Sequence, residues 1–135
     1  MPSRFETKRL GADPDAVAPD GSLVRLLPAL TGGSMAHFEL PAGATSHAVT
    51  HRTVEEIWFI VSGSGEIWRR QDGEERVDSL AAGTALTLPL GTAFQFRAGA
   101  EAPLVFIAIT MPPWPGPSEA VATEGRWTPT AALAE

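Results

Sequence analysis

Residues Gly43–Gly63 read GATSHAVTHRTVEEIWFIVSG. Side chains on an extended strand alternate between its two faces. His47, Val49 and His51 are therefore expected on one face of a strand that begins near Thr45. Arg52–Val54 makes a turn, and Glu55–Val61, rich in β-branched and aromatic residues, is expected as a second strand. Glu56, Trp58 and Ile60 share one of its faces, and Ile57, Phe59 and Val61 share the other. Two strands thus bring His51 and a carboxylate into one neighbourhood beside a long apolar surface.

The flanking chain repeats the same short-strand grammar. Extended segments are expected at Leu23–Leu27, Ser34–Leu40, Glu66–Gln71, Glu75–Leu80, Ala85–Leu88, Phe94–Arg97 and Pro103–Met111, separated by Gly- and Pro-rich turns. Asp72-Gly73 is a two-residue hairpin signal, and Ser62-Gly63-Ser64-Gly65 reads as a tight reversal. Phe94-Gln95-Phe96-Arg97 alternates as a half-buried strand does. About nine strands at roughly 8–12-residue spacing indicate an all-β sandwich or jelly-roll barrel. Residues 1–22 carry three prolines and no periodicity and read as an N-terminal arm; 23–111 form the barrel, and 112–135 a Pro- and Trp-containing tail.

Composition narrows the function classes. With 135 residues the chain has the size of one domain, and its net charge of -6 without a basic stripe argues against a nucleic-acid or anionic membrane surface. The absence of cysteine removes disulfides, thiolate ligands and a thiol nucleophile together. No apolar block of secretory-signal type lies in the first twenty residues, and no run approaches the ~18 apolar residues of a membrane helix. A cytoplasmic location is expected.

These motifs resemble those of the cupin superfamily, which implies a single cupin jelly-roll β-barrel. The first cupin motif, G-x5-H-x-H-x3-4-E-x6-G, is matched by Gly43, His51, Glu56 and Gly63, with Val49 at its first histidine. The second, G-x5-P-x-G-x2-H-x3-N, is matched by Gly83, Pro89 and Gly91, with Phe94 at the histidine and Ala98 at the asparagine. The segment Thr110–Gly116 is similar to the tail of a set of small bacterial cupins. The resemblance implies a divalent metal held by four side chains, of which this chain keeps His51 and Glu56. No tightly bound metal or other cofactor is therefore expected; Zn, Mn, Fe or Ni held by His51, Glu56 and His47 is the runner-up. Along an ideal strand His47 and His51 lie ~13 Å apart at Cα, against ~6.6 Å for an H-x-H pair, so that set needs a β-bulge near Ala48 or Thr50. His37 is a further candidate donor.

Two readings of the interior residues stand side by side. In one, His51 and Glu56 form a hydrogen-bonded pair left in the core while Trp58, Phe94 and Phe96 fill it. In the other, they are the convergent polar groups of an apolar pocket lined by His47, Val49, Trp58, Phe94 and Phe96. The expected function is small-molecule binding. The alternatives are an isomerase, cyclase, lyase or oxygenase using His51 and Glu56 as catalytic acid and base or as part of a rearranged divalent-metal site, and a non-catalytic sensor or interaction domain. The outward stripe Ile57, Phe59 and Val61 wants a cover, which the arm, the tail with Trp114 and Trp127, or the second subunit of a homodimer would supply.

Overall fold

The computed structural model describes residues 4–132. It contains two antiparallel sheets. The larger is ordered β1 (Ala16–Val17), β2 (Leu23–Leu30), β3 (Gly33–Leu40), β10 (Leu104–Met111), β5 (Glu55–Ser62), β8 (Ala85–Leu88). The smaller is ordered β11 (Ala120–Ala122), β4 (Val49–His51), β9 (Ala93–Ala98), β6 (Ser64–Gln71), β7 (Glu74–Ala81). No helix among the described residues is long and apolar enough to cross a membrane.

The jelly-roll architecture expected from the motifs is present, but the sheets are not closed into a barrel. Strand pairing ends at β1 and β8 in one sheet and at β11 and β7 in the other, and no ladder joins those edges among the described residues. The interior is a sandwich space between two facing sheets. Segments on both sides of 23–111 add strands to it: Ala16–Val17 pairs with β2, and Ala120–Ala122 pairs with β4.

The alternation read from Glu55–Val61 is realised. Glu56, Trp58 and Ile60 are buried, while Ile57, Phe59 and Val61 remain 46%, 52% and 46% exposed. On β10 the buried set is Leu104, Phe106, Ala108 and Thr110. Cross-sheet packing follows from these registers. The Trp58 ring stacks on Phe106 at 3.8 Å between centroids and meets the edges of Phe94 and Phe96 at 5.8 and 5.1 Å. Aromatic pairs of this kind add about 0.5–1.5 kcal/mol each beyond area burial.

Three local expectations are corrected. The strand expected from Thr45 is regular only over Val49–His51, because the chain before it bonds elsewhere: Ser46 N donates to Phe96 O at 2.8 Å and His47 N to Asp20 O at 2.8 Å. Gly63, at φ +80°, is not part of a hairpin but the corner at which the chain leaves β5 in one sheet for β6 in the other. Lastly, Phe94–Arg97 is not half-buried, since Phe94, Gln95 and Phe96 are all enclosed.

The reason lies in the tail, which crosses the outer face of β9. Gln95 Nε2 donates to Ser46 O and Trp127 O at 2.8 Å each, and its Oε1 accepts from Arg126 N and Trp127 N at 2.9 Å each. The amide is fully used. Trp127 then lies under the Arg97 guanidinium, 4.2 Å from the ring centroid. This close approach depends on Gly125, where a Cβ would stand 2.3 Å from Gln95 Oε1 and 2.6 Å from Ala48 Cβ. Gly125→Ala is therefore expected to destabilise the fold by about 1–3 kcal/mol, measured as a lowered midpoint in urea unfolding, whereas Gly32→Ala, which meets nothing within 4 Å, should change it by far less.

Candidate functional site

A cavity of about 470 Å³ lies between the sheets, with residues 16–20 and Pro113, Trp114, Gly116 and Pro117 among its lining. Its walls are mainly apolar. Val49 and Phe94 are direct cross-strand partners on β4 and β9, and both line the cavity together with Trp58 and Ala108. These are the positions at which both motifs lack a histidine. Where the motif resemblance would converge two imidazoles, this chain sets an aliphatic group against a phenyl ring.

The polar end is built around Glu56, which is 5% exposed. Its Oε2 lies 2.9 Å from His51 Nδ1, and its Oε1 accepts a 2.9 Å hydrogen bond from Trp58 Nε1. The buried carboxylate is thus satisfied on both oxygens. A proton on Nδ1 directed at Glu56 leaves Nε2 of His51 as the acceptor of the neutral ring, and this atom has no protein partner among the described residues. Phe94 and Trp114 hold the imidazole edge-on, at centroid distances of 5.3 and 5.1 Å.

Two further carboxylates come from segments outside the central strands. Asp20 lines the cavity, and its Oδ1 accepts from Ser22 N at 2.9 Å and Ser22 Oγ at 2.6 Å. Burial holds its carboxyl above the ordinary 3.8, against the Ser22 hydrogen bonds, with nearby Glu56 raising it further and His51 lowering it. Glu119 reaches the turn between β4 and β5, accepting from Thr53 N at 2.5 Å, Thr53 Oγ1 at 2.7 Å and Val54 N at 3.0 Å. Burial raises its pKa, but the bonds from Thr53 and Val54, aided by His51, outweigh it, so the group ends below 4.5. Beside Glu56, whose cross-strand partner is Thr110, Ser34 Oγ is hydrogen-bonded to Thr110 Oγ1 and accepts from Trp114 N, which seats Trp114 over the pocket.

Of the residues singled out from sequence, His51, Glu56, Val49, Trp58 and Phe94 meet at this cavity. Phe96 belongs to the solid core instead. His47 turns away, its Nε2 lying 3.0 Å from Ala131 O. His37 sits between Ala36 and Phe38, which line the cavity, so it takes the opposite face, opposite Arg25 and Ile107. Asp20, Trp114 and Glu119 were not read as site residues. Asp20-Gly21-Ser22 does carry an Asx-turn signal, but nothing in its spacing ties it to a strand some thirty residues on.

The donors present do not fit a divalent metal. His51 Nδ1 is bonded to Glu56 and His47 is held by the tail, so His51 Nε2 faces the cavity without companion ligands, and no group of three or more His, Asp or Glu among the described residues is arranged to hold an ion. A second, shallower depression of about 230 Å³ is lined by Arg69, Arg76 and Thr92, but both guanidiniums are already bonded to Asp78.

No family model matches the chain, and no curated protein matches it. Solved structures do. An oxalate decarboxylase variant from Bacillus subtilis superposes with a TM-score of 0.73 at 15% identity, over 91% of this chain and 34% of that one. KdgF from Halomonas sp. gives 0.61 at 23% identity, over 74% and 87%. BH2720 from Bacillus halodurans gives 0.59 at 19% identity, over 74% of each. The chain spans about a third of the decarboxylase and most of the two smaller proteins.

The two added carboxylates give opposite pH signatures. Asp20 holds its proton more tightly folded than unfolded, so its contribution is present below pH 3.8 and is lost as pH rises from there through its raised folded value. Glu119 does the reverse: its contribution is present above 4.5 and lost as pH falls through its lowered folded value. Thermal melts across pH 3–8 should show Asp20→Asn relieving the loss on the rising side and Glu119→Gln abolishing the loss on the acid side.

Proposed function

We propose, on the premise of the cupin fold that this chain carries, that the protein binds a small, partly apolar molecule in the cavity between its sheets, without a metal. The observation that carries this reading is a mainly apolar space of about 470 Å³ with the buried His51–Glu56 pair in its wall. A pocket of a few hundred cubic ångströms with few convergent polar groups is the usual form of a small-molecule site.

Filling the space tests it. Ala108 lines the cavity and is 1% exposed, so Ala108→Phe should occupy it. Neutral aromatic probes such as phenol should quench tryptophan fluorescence saturably in the unaltered protein, and Ala108→Phe should weaken that binding at least tenfold. Absence of saturable binding, or binding indifferent to Ala108→Phe in a folded variant, overturns the reading.

A second reading, catalysis, is favoured by one observation. His51 Nε2 is left without a protein partner beside the cavity while Nδ1 is fixed by Glu56, the arrangement of a general base with an orienting carboxylate. It would suit isomerisation, cyclisation or elimination.

A homodimer is proposed for the outer face of the larger sheet. Ile57 and Phe59 pair across strands with Ile109 and Ile107, and with Val61 they leave a contiguous apolar surface. In sedimentation velocity, Phe59→Glu should convert a dimer to a monomer at micromolar concentration. A monomeric unaltered protein would refute it.

A further inference from the structure

The charges around the cavity are unevenly satisfied. Asp20 and Glu56 both line it, and no lysine or arginine does. Glu56 is answered by His51 and Trp58. Asp20 is not. Both hydrogen bonds from Ser22 fall on Oδ1, so Oδ2 has no protein partner among the described residues, although Asp20 is only 8% exposed. An oxygen of a buried carboxyl group without a partner calls for a donor.

The walls beside it define what kind of donor fits. Phe38, Trp58, Phe94 and Trp114 line the same space. Aromatic faces attract a cation by about 0.5–1 kcal/mol when exposed and about 2 kcal/mol or more when desolvated. An anionic ligand would meet two carboxyl groups with no lysine or arginine to neutralise it and only the His51 imidazole, already bonded to Glu56, beside them. A neutral alcohol would supply a hydrogen bond to Oδ2 but no countercharge to hold ionised a carboxyl group that burial favours in its protonated form. A quaternary ammonium would supply charge but no N–H.

We infer that the cavity selects a small apolar amine bound as its ammonium ion, with N–H donated to Asp20 Oδ2 and the hydrocarbon part against Trp58, Phe94 and Trp114. Asp20 is then the residue that sets specificity, while the His51–Glu56 pair forms the neighbouring wall. The inference rests on the cavity being a small-molecule pocket and adds the class of ligand.

An isosteric series separates the two. Benzylamine, benzyl alcohol and benzoate share size and shape and differ in charge. Titrated at pH 7 into the full chain and followed by tryptophan fluorescence and calorimetry, benzylamine should bind at least tenfold more tightly than benzyl alcohol, and benzoate more weakly than either. Asp20→Asn keeps a carbonyl oxygen for both Ser22 bonds. It should lower benzylamine affinity at least tenfold and leave that of benzyl alcohol within twofold. Equal affinity for amine and alcohol, or amine binding unchanged in Asp20→Asn, overturns the amine inference while the pocket reading stands. Failure of all three probes to bind overturns both. Should Asp20→Asn not fold, as judged by circular dichroism, the amine-to-alcohol ratio of the unaltered protein decides alone.

Discussion

The buried carboxylate of Glu56 is the constraint on which the interior depends. A carboxyl group this far from water needs hydrogen-bond partners, and leaving one of its oxygens without them typically costs about 1–3 kcal/mol, more where the group is charged. Its partners are His51 on β4 and Trp58 on its own strand β5, which lie in different sheets. The bond to His51 therefore ties the two sheets together at the polar end of the cavity. It also fixes the imidazole ring between Phe94 and Trp114, while Glu119 clamps the turn that separates His51 from Glu56. Strand, ring and turn are held by one set of charge-assisted bonds.

The Val49–Phe94 pair explains how the chain keeps a jelly-roll fold with an apolar centre. Cross-strand neighbours on one face are the unit of sheet packing, and an aliphatic group opposite an aromatic one is a favourable pair. Replacing one of two facing metal ligands alone would leave the other without purpose in an apolar wall. Here both positions are apolar together, and the space they border continues into Trp58 and Ala108. Asp20 and Trp114 reach the same space from segments flanking the central strands.

What was legible in the sequence followed from local rules. Alternation on Glu55–Val61 gives the correct inward set, and Asp72-Gly73 forms the hairpin tip between β6 and β7, with φ of 50° and 80°. The His51–Glu56 contact follows from two short strands joined by one turn. What was illegible depended on long-range hydrogen bonds. His47 leaves the strand pattern because its N–H is claimed by Asp20 O. Asp20 and Glu119 reach the site from residues 36 before and 63 after Glu56 in the chain, and no periodicity encodes such distances. Nor does alternation reveal that the tail covers the outer face of β9, which turned an expected half-buried strand into an enclosed one.

That cover has an evolutionary consequence. Gln95 gives two hydrogen bonds and receives two, all to main chain. A glutamate would lack both donors, a lysine both acceptors, and a leucine would strand four peptide groups. Gly125 is bound to the same site by space. Descendants of this chain can alter Gln95 and Gly125 only by giving up the tail's course. A glutamine on the strand that carries Phe94, with a glycine thirty residues beyond it, is thus a signature by which proteins sharing this closure could be found among jelly-roll chains too divergent for ordinary alignment.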